Sequence, residues 1–308
     1  MIDLTLIIVN WNTRQLLLDC LESVFQDIAR TPRRQIDVIV VDNASTDDSA
    51  AVLRKQYAQV TLIENESNIG FAAANNQGIR CSKSDYVYLL NSDTILGEHA
   101  LQAMLDYADS HPSVGALGAQ LKNPDGSLQV SASPAPTLVR ELWRLFHLDT
   151  IKPLAIYPMQ AWPQDQARPV DTILGASMLI RKKALDASGL MDEAYFMYSE
   201  EVDLCLQLRR HGWEIHWLPE ATVLHYGGQS TRQASKAMFL HLYAGKVRYF
   251  RKNHGRLDAV LYKAILAAAA IARLIFSPLL WVQRSPRRSR RWQRVQNYRH
   301  LLGALPGW

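Results

Sequence analysis

Cysteine is scarce in this chain of 308 residues: Cys20, Cys81 and Cys205 are the only three, at scattered spacings and with no CxxC pair. That excludes a disulfide framework and a cysteine-based metal cluster, and it fits reduced thiols in a cytosol. A basic N-terminal region and a signal cleavage site are missing as well, because residues 1–9 read as a first strand; no secretory leader is expected. No G-x-G-x-x-G follows that strand, and no G-x-x-x-x-G-K-[ST] occurs. Backbone phosphate cradles of the Rossmann and P-loop types are thereby disfavoured, and a cation would be needed to hold a diphosphate. Acidic residues are absent after Asp258, where Lys263, Arg273, Arg284, Arg287, Arg288, Arg290, Arg291, Arg294 and Arg299 supply nine cations. Since the whole chain carries +5, the first 258 residues carry −4, which argues against general nucleic-acid binding by the main body.

What is present is an ordinary globular composition, 48% hydrophobic and 20% charged, with ample material for a core. Residues 4–9 form an aliphatic run that stops at Asn10-Trp11-Asn12-Thr13, and a helical spacing of apolar residues follows over 15–26. A second run, 37–41, stops at Asp42-Asn43, after which Ser45 or Thr46 can cap a helix over 47–57. A third short strand spans 60–63, and a fourth, 86–90, stops at Asn91-Ser92-Asp93-Thr94. Strands alternating with helices predict an α/β fold with right-handed crossovers and a mostly parallel sheet flanked by helices. Asp93 and Thr94 by themselves fit a helix N-cap as well as a binding site, because a helical pattern follows from His99. Three strands ending in polar side chains at one sheet edge favour a nucleotide site. Between them, Asn68-Ile-Gly70-Phe-Ala-Ala-Ala-Asn75-Asn-Gln-Gly78 has small residues that permit close backbone approach, to a ligand or merely to the sheet.

These blocks, Val9-Asn10-Trp11-Asn12, Val41-Asp42-Asn43 through Asp47, Asn68 through Gly78, and Leu90-Asn91-Ser92-Asp93, resemble those of family 2 inverting glycosyltransferases, in their rhamnosyltransferase-like subset. The resemblance covers about residues 3–232 and implies a GT-A fold, Rossmann-like in its sheet, with 1–110 as nucleotide-binding half and 111–232 as acceptor half. Residues 233–308 are expected to be a helical, basic extension. It implies an enzyme that moves a sugar from a nucleoside diphosphate, dTDP-rhamnose or a UDP-sugar, to a glycan or lipid-linked acceptor in cell-surface polysaccharide synthesis. Asn91-Ser92-Asp93 stands where the family has its D-x-D motif, so one anionic ligand, Asp93, remains for Mg²⁺ or Mn²⁺. His225, in Val223-x-His225-x-x-Gly228-x-Ser230, stands where the family supplies a histidine to the metal. By the same resemblance Asn10, Asn12, Asp42, Asn43, Asn68, Gly70, Asn75, Asn91, Ser92 and Asp93 serve the nucleotide, Gly175, Ala176 and Asp203 the sugars, and Thr231 and Arg232 the diphosphate.

The second half carries Glu200, Glu201 and Asp203 in the first turn of an amphipathic helix. Carboxylates there are stabilised by the helix dipole, yet three within four residues raise one another's pKa, as a site preparing a base would. The family places its base at the second acid of this block; that implies Glu201, with Glu200 an open alternative, and Asp203 ordering the helix or meeting neighbours. Gln207 and Arg210 are followed by His211 rather than Trp, which departs from the Q-x-x-R-W motif of processive members and implies a non-processive enzyme. The proline- and tryptophan-rich stretch 134–169 suits either a flap over an apolar acceptor or a cover for the sheet. Residues 264–282 could just span a bilayer, but Arg273 interrupts them, so lying in the membrane interface is preferred over spanning. With the arginines behind it, this tail is expected to meet anionic lipid on the inner face of a bacterial cytoplasmic membrane, with an oligomer contact as the alternative. A sugar-phosphate nucleotidyltransferase and a non-catalytic nucleotide- or glycan-binding GT-A module are the competing readings.

Overall fold

A computed structural model of the chain describes residues 2–229, 233–276 and 288–308, the side chains of the last stretch from 295 onward. Strand and helix first alternate: β1 (Leu4–Asn10), α1 (Arg14–Ala29), β2 (Ile36–Asp42), α2 (Ser49–Gln56), β3 (Thr61–Glu64), α3 (Phe71–Cys81) and β4 (Tyr86–Asn91). There follow β5 (Thr94–Leu96), α4 (Ala100–Ser110), β6 (Val114–Lys122), β7 (Ala132–Ser133), α5 (Leu138–Leu145), β8 (Arg168–Pro169), β9 (Thr172–Ile173), β10 (Ser177–Arg181), α6 (Lys182–Ser188), α7 (Glu200–Arg210) and β11 (Glu214–His225). The chain closes with α8 (Ser235–Asn253), α9 (Arg256–Phe276) and α10 (Arg288–Ala304).

The main sheet runs β3-β2-β1-β4-β10-β6-β11-β5, with β8 also pairing β11. Strands β3, β2, β1 and β4 are parallel, as the βα alternation requires, but β10 enters antiparallel between β4 and β6. Register brings the polar strand ends level: Asn10 pairs with Asp42, Val9 with Asn91, and His225 with Thr94. Leu6, Ile8, Val38, Val40, Tyr88 and Leu90 project from the sheet into one continuous core with Leu17, Leu21 and Val24 of α1 and Leu101, Met104 and Leu105 of α4. Burial on that scale is the main favourable term of folding, about 25 cal/mol per Å² of apolar surface. Against β1 the helix α3 packs through Gly78, where a Cβ would lie 2.6 Å from Ile7 Cγ2. For that glycine, close helix-on-sheet packing is the reason for the small side chain.

Two helix starts differ from the sequence expectation. Asp93 and Thr94 do not cap α4: Thr94 begins β5, and α4 starts only at Ala100. Its exposed amides are taken instead by Asp27 of α1, which accepts from His99 N at 2.6 Å and Leu101 N at 2.8 Å. Likewise α2 starts at Ser49 behind Asp48, not behind Ser45 or Thr46. Both of those are engaged by the loop after β1, so a tertiary partner outbids the local cap.

The chain divides into two compact units, one of residues 1–135, 158–196 and 200–233, the other of 136–157, 197–199 and 234–308. In the first, the Trp162 ring from the proline-rich stretch lies 5.4 Å from that of Trp217 of β11, with the Arg168 guanidinium 4.6 Å above the Trp162 ring, so this part covers the sheet. In the second, Lys246 of α8 donates to the buried Glu141 of α5 at 2.9 Å, and Arg144 pairs with the same carboxylate. Phe250 stacks on Tyr262, and Arg273 donates to Leu145 O and lies over Tyr298. The helix α9 is long and apolar enough to cross a membrane by length and composition. Residues 277–282 of the expected apolar segment, and Arg284 and Arg287, lie outside the described residues.

Candidate active site

The site is assembled at the carboxyl edge of β1, β2 and β4. Asn10 is fully buried and acts as a brace: its Nδ2 donates to Asp42 Oδ1 at 2.9 Å and to Ser45 Oγ at 3.0 Å. Asp42 Oδ2 accepts from Ser45 N at 2.9 Å, so the carboxylate is held at both oxygens. Asn12, at φ +53°, accepts from Thr46 N at 2.7 Å through Oδ1. Thr13 Oγ1 donates to Asn10 Oδ1 at 2.7 Å and lies 2.9 Å from Ser92 Oγ, tying the first strand end to the motif.

Asn43 and Asn68 clasp each other: Asn43 Nδ2 donates to Asn68 Oδ1 at 2.9 Å, and Asn43 Oδ1 accepts from Ile69 N at 3.1 Å. They shape the loop that delivers Gly70, whose φ of +88° places Phe71 N on Phe196 O at 2.7 Å. A Cβ on Gly70 would meet Phe196 O at 2.5 Å, so both conformation and space demand glycine there. Asn75, inside α3, donates to Phe71 O at 2.9 Å.

The motif itself is buried. Ser92 and Asp93 are both under a tenth exposed. Beneath them the Cys20 thiol lies 3.6 Å from Asn91 O and from Thr94 Oγ1, and burial pushes its pKa up to about 12, against the hydrogen bond from Thr94 and with the Asp93 charge. Asp93 O accepts from Tyr226 N at 3.0 Å, and Oδ2 lies 3.5 Å from Gln229 N, so the segment after β11 wraps the aspartate. Asp93 Oδ1 is 3.3 Å from His225 Nε2, and Asn91 Nδ2 is 3.4 Å from the same nitrogen. The opposite ring nitrogen, Nδ1, lies 2.6 Å from Gln129 Oε1. Sequence reasoning missed Gln129 altogether, since it stands just after a turn with no motif around it.

Asp93 and His225 fit a divalent cation by donor chemistry. A carboxylate oxygen and an imidazole nitrogen converge at 3.3 Å, and Gln129 Oε1 lies 2.6 Å from the opposite ring nitrogen. An oxygen-and-imidazole pair suits Mn²⁺ or Mg²⁺, which complete their shells with water and substrate phosphate. Among the described residues no cluster of three acidic, cysteine or histidine side chains forms a closed metal site.

The acids of α7 come to the same edge. Asn91 N donates to Ala176 O at 3.0 Å, which joins the motif to the Gly175-Ala176 turn. A Cβ on Gly175 would lie 3.5 Å from Glu201 Cβ and 3.4 Å from Phe71 Cε1. Glu200 and Asp203 are buried, whereas Glu201 is half-buried. Tyr198 and Ser199, just before them, both hold positive φ, +71° and +73°, a costly backbone for side chains of that size and typical of functional turns. Thr231 and Arg232 lie outside the described residues.

The model of glycosyl transferase family 2 matches residues 5–185. The chain belongs to that family. An N-acetylglucosaminyl-diphospho-decaprenol L-rhamnosyltransferase of Mycobacterium tuberculosis is 31% identical over 230 residues, 68% of this chain and 73% of that protein. A rhamnosyltransferase of Escherichia coli is 26% identical over 207 residues, 63% of this chain and 77% of the relative. Among solved structures, a mannosyltransferase of Pyrobaculum calidifontis in complex with GDP-Man and Mn²⁺ superposes with a TM-score of 0.60 at 17% identity, covering 99% of this chain and 87% of that one. The fold of this glycosyltransferase is therefore GT-A, with its mixed sheet flanked by helices and a helical C-terminal part. Membership of the family removes the nucleotidyltransferase reading.

Proposed function

We propose that this glycosyltransferase transfers a sugar, rhamnose in preference to others, from a nucleoside diphosphate to a lipid-linked or glycan acceptor in cell-surface polysaccharide synthesis, non-processively and with inversion. The convergence of Asp93 Oδ1 and His225 Nε2 at 3.3 Å, level with the Asn10–Asp42 strand ends, carries this reading. Both rhamnosyltransferase relatives support the sugar, and the lipid diphosphate in the mycobacterial enzyme's name supports the acceptor class. Residues 1–232 would form the catalytic domain, 1–110 receiving the nucleotide and 111–232 the acceptor, with 233–308 as the extension.

Each residue then has a part. Asp42, braced by Asn10 and Ser45, presents its carboxylate to the nucleoside, and Asn12, Asn43, Asn68, Gly70 and Asn75 shape the loops around it. A divalent cation held by Asp93 and His225 would supply the positive charge that neutralises the departing diphosphate. Glu201, half-buried on the first turn of α7 beside Gly175, takes the proton of the acceptor hydroxyl as that oxygen attacks; Glu200 is the alternative base. Attack from the face opposite the leaving group inverts the anomeric carbon. Gly175 and Ala176 leave room for the sugars, and Thr231 and Arg232 belong to the diphosphate.

A panel of nucleotide sugars with Mn²⁺, read by nucleoside diphosphate release with a prenyl-diphosphate-linked sugar as acceptor, tests the proposal. We expect release above background with dTDP-rhamnose and its loss in Asp93→Ala. Absence of release with every donor in the panel overturns it in favour of a module that binds without turnover, and an undiminished rate in Asp93→Ala overturns the part given to Asp93.

A further inference from the structure

Gln129 follows the turn that ends β6, and its position is over-determined. Its backbone N donates to Leu121 O at 2.8 Å, and the turn is closed by Asn123 N on Ser127 O and Gly126 N on Asn123 O, both at 2.8 Å. The Asn123 side chain is held in turn by Ser127 Oγ at 2.9 Å, and that hydroxyl donates to Asp125 Oδ1. At the end of this chain Gln129 Nε2 lies 2.9 Å from Asn123 Oδ1 and 3.4 Å from the backbone oxygen of His225. A backbone oxygen only accepts, so the NH₂ end of the amide must face it, and Oε1 is left toward His225 Nδ1 at 2.6 Å. An amide oxygen likewise only accepts; Nδ1 must carry the proton.

We propose that Gln129 is a positioning residue that makes His225 a cation ligand, by locking the ring in the Nδ1–H form so that the Nε2 lone pair points at Asp93. This rests on the reading of Asp93 and His225 as the cation site. A histidine backed by an acceptor at one ring nitrogen keeps its orientation, with the other nitrogen turned toward the cation.

The test uses the full chain with histidine labelled in nitrogen, and Mn²⁺ titrated by electron paramagnetic resonance. In the wild type without metal, at mildly alkaline pH, the signal lost in His225→Asn should report a protonated Nδ1 and a bare Nε2. In Gln129→Leu that signal should become a mixture of tautomers, and Mn²⁺ affinity should fall about 10–100-fold, the usual cost of removing such a support. Gln129→Glu keeps an acceptor in place and should retain most of the affinity and the Nδ1–H signal. A wild-type ring protonated at Nε2 alone overturns the proposal, as does a folded Gln129→Leu with wild-type tautomer and affinity. It is overturned equally if Gln129→Glu loses Mn²⁺ as completely as the leucine variant. Should wild type bind Mn²⁺ no better than Asp93→Asn, the cation reading fails by itself, while the tautomer measurement still decides what Gln129 does to the ring.

Discussion

Glu201 and Glu200 are adjacent in sequence but differently placed: the first is half-buried beside Gly175, the second buried. Glu201 is the base proposed above because it is the less buried of the two and lies beside Gly175. Glu201→Gln should therefore lower kcat by roughly 10²–10⁴-fold with little change in donor binding, whereas Glu200→Gln should act mainly on folding. Steady-state rates set beside nucleotide affinity and thermal unfolding of both variants check this; near-normal turnover by Glu201→Gln would sink the assignment. Residue type alone could not have separated these two acids. What separates them is their burial on α7, Glu200 being buried and Glu201 half-buried beside Gly175.

At the scale of elements, the start of α3 is the joint most sensitive to a small change. Gly70 stands at φ +88° with Phe196 O where a Cβ would go, and its neighbour Phe71 touches the space beside Glu201. Gly70→Ala should cost about 1–3 kcal/mol, read from denaturant unfolding, and should depress turnover by shifting Phe71. A second joint lies at the far end of the sheet. Asp109 at the end of α4 is partly buried, which alone would raise its pKa, but Tyr86 OH and Arg34 donate to it at 2.8 and 2.6 Å and together hold it below the usual carboxylate range. A carboxyl depressed in the fold contributes stability that is fully present above the unfolded value, about 3.9, and is lost as pH falls through the lower folded value. Thermal midpoints should consequently drop below about pH 4, less steeply in Asp109→Asn. These helices and strands were legible from apolar spacing, but their starts were not: α4 and α2 begin where Asp27 and Asp48 stand, because side chains nominated as caps had been claimed by loops distant in sequence.

For the whole molecule, charge segregation is the fact with the widest consequence. The first 258 residues carry −4 and the rest nine cations with no acid. Within the helical unit, α9 keeps Leu257, Val260, Ile275 and Phe276 exposed, while Arg273 is satisfied by Leu145 O, Ala269 O and the Tyr298 ring. An apolar helix face followed by arginines suits an anionic bilayer surface, each cation near it contributing about 1 kcal/mol. We expect the full-length protein to sediment with vesicles containing anionic lipid at low salt, to be released as salt rises, and to ignore neutral vesicles. Binding to neutral vesicles alike would mean apolar insertion rather than charge attraction, and binding to none would point instead to a helix-packing contact between copies.

Composition, apolar periodicity and the polar ends of three strands were enough to establish an α/β sheet with those ends at one edge, because parallel βα units are local in sequence and their register follows from their hydrophobic runs. Tertiary structure alone decided that β10 enters antiparallel between β4 and β6, that Asp93 does not cap α4, and that Gln129 stands behind His225. Those outcomes depend on pairings between segments far apart in the chain, where the partner that a polar group finds on folding overrides the local preference written around it.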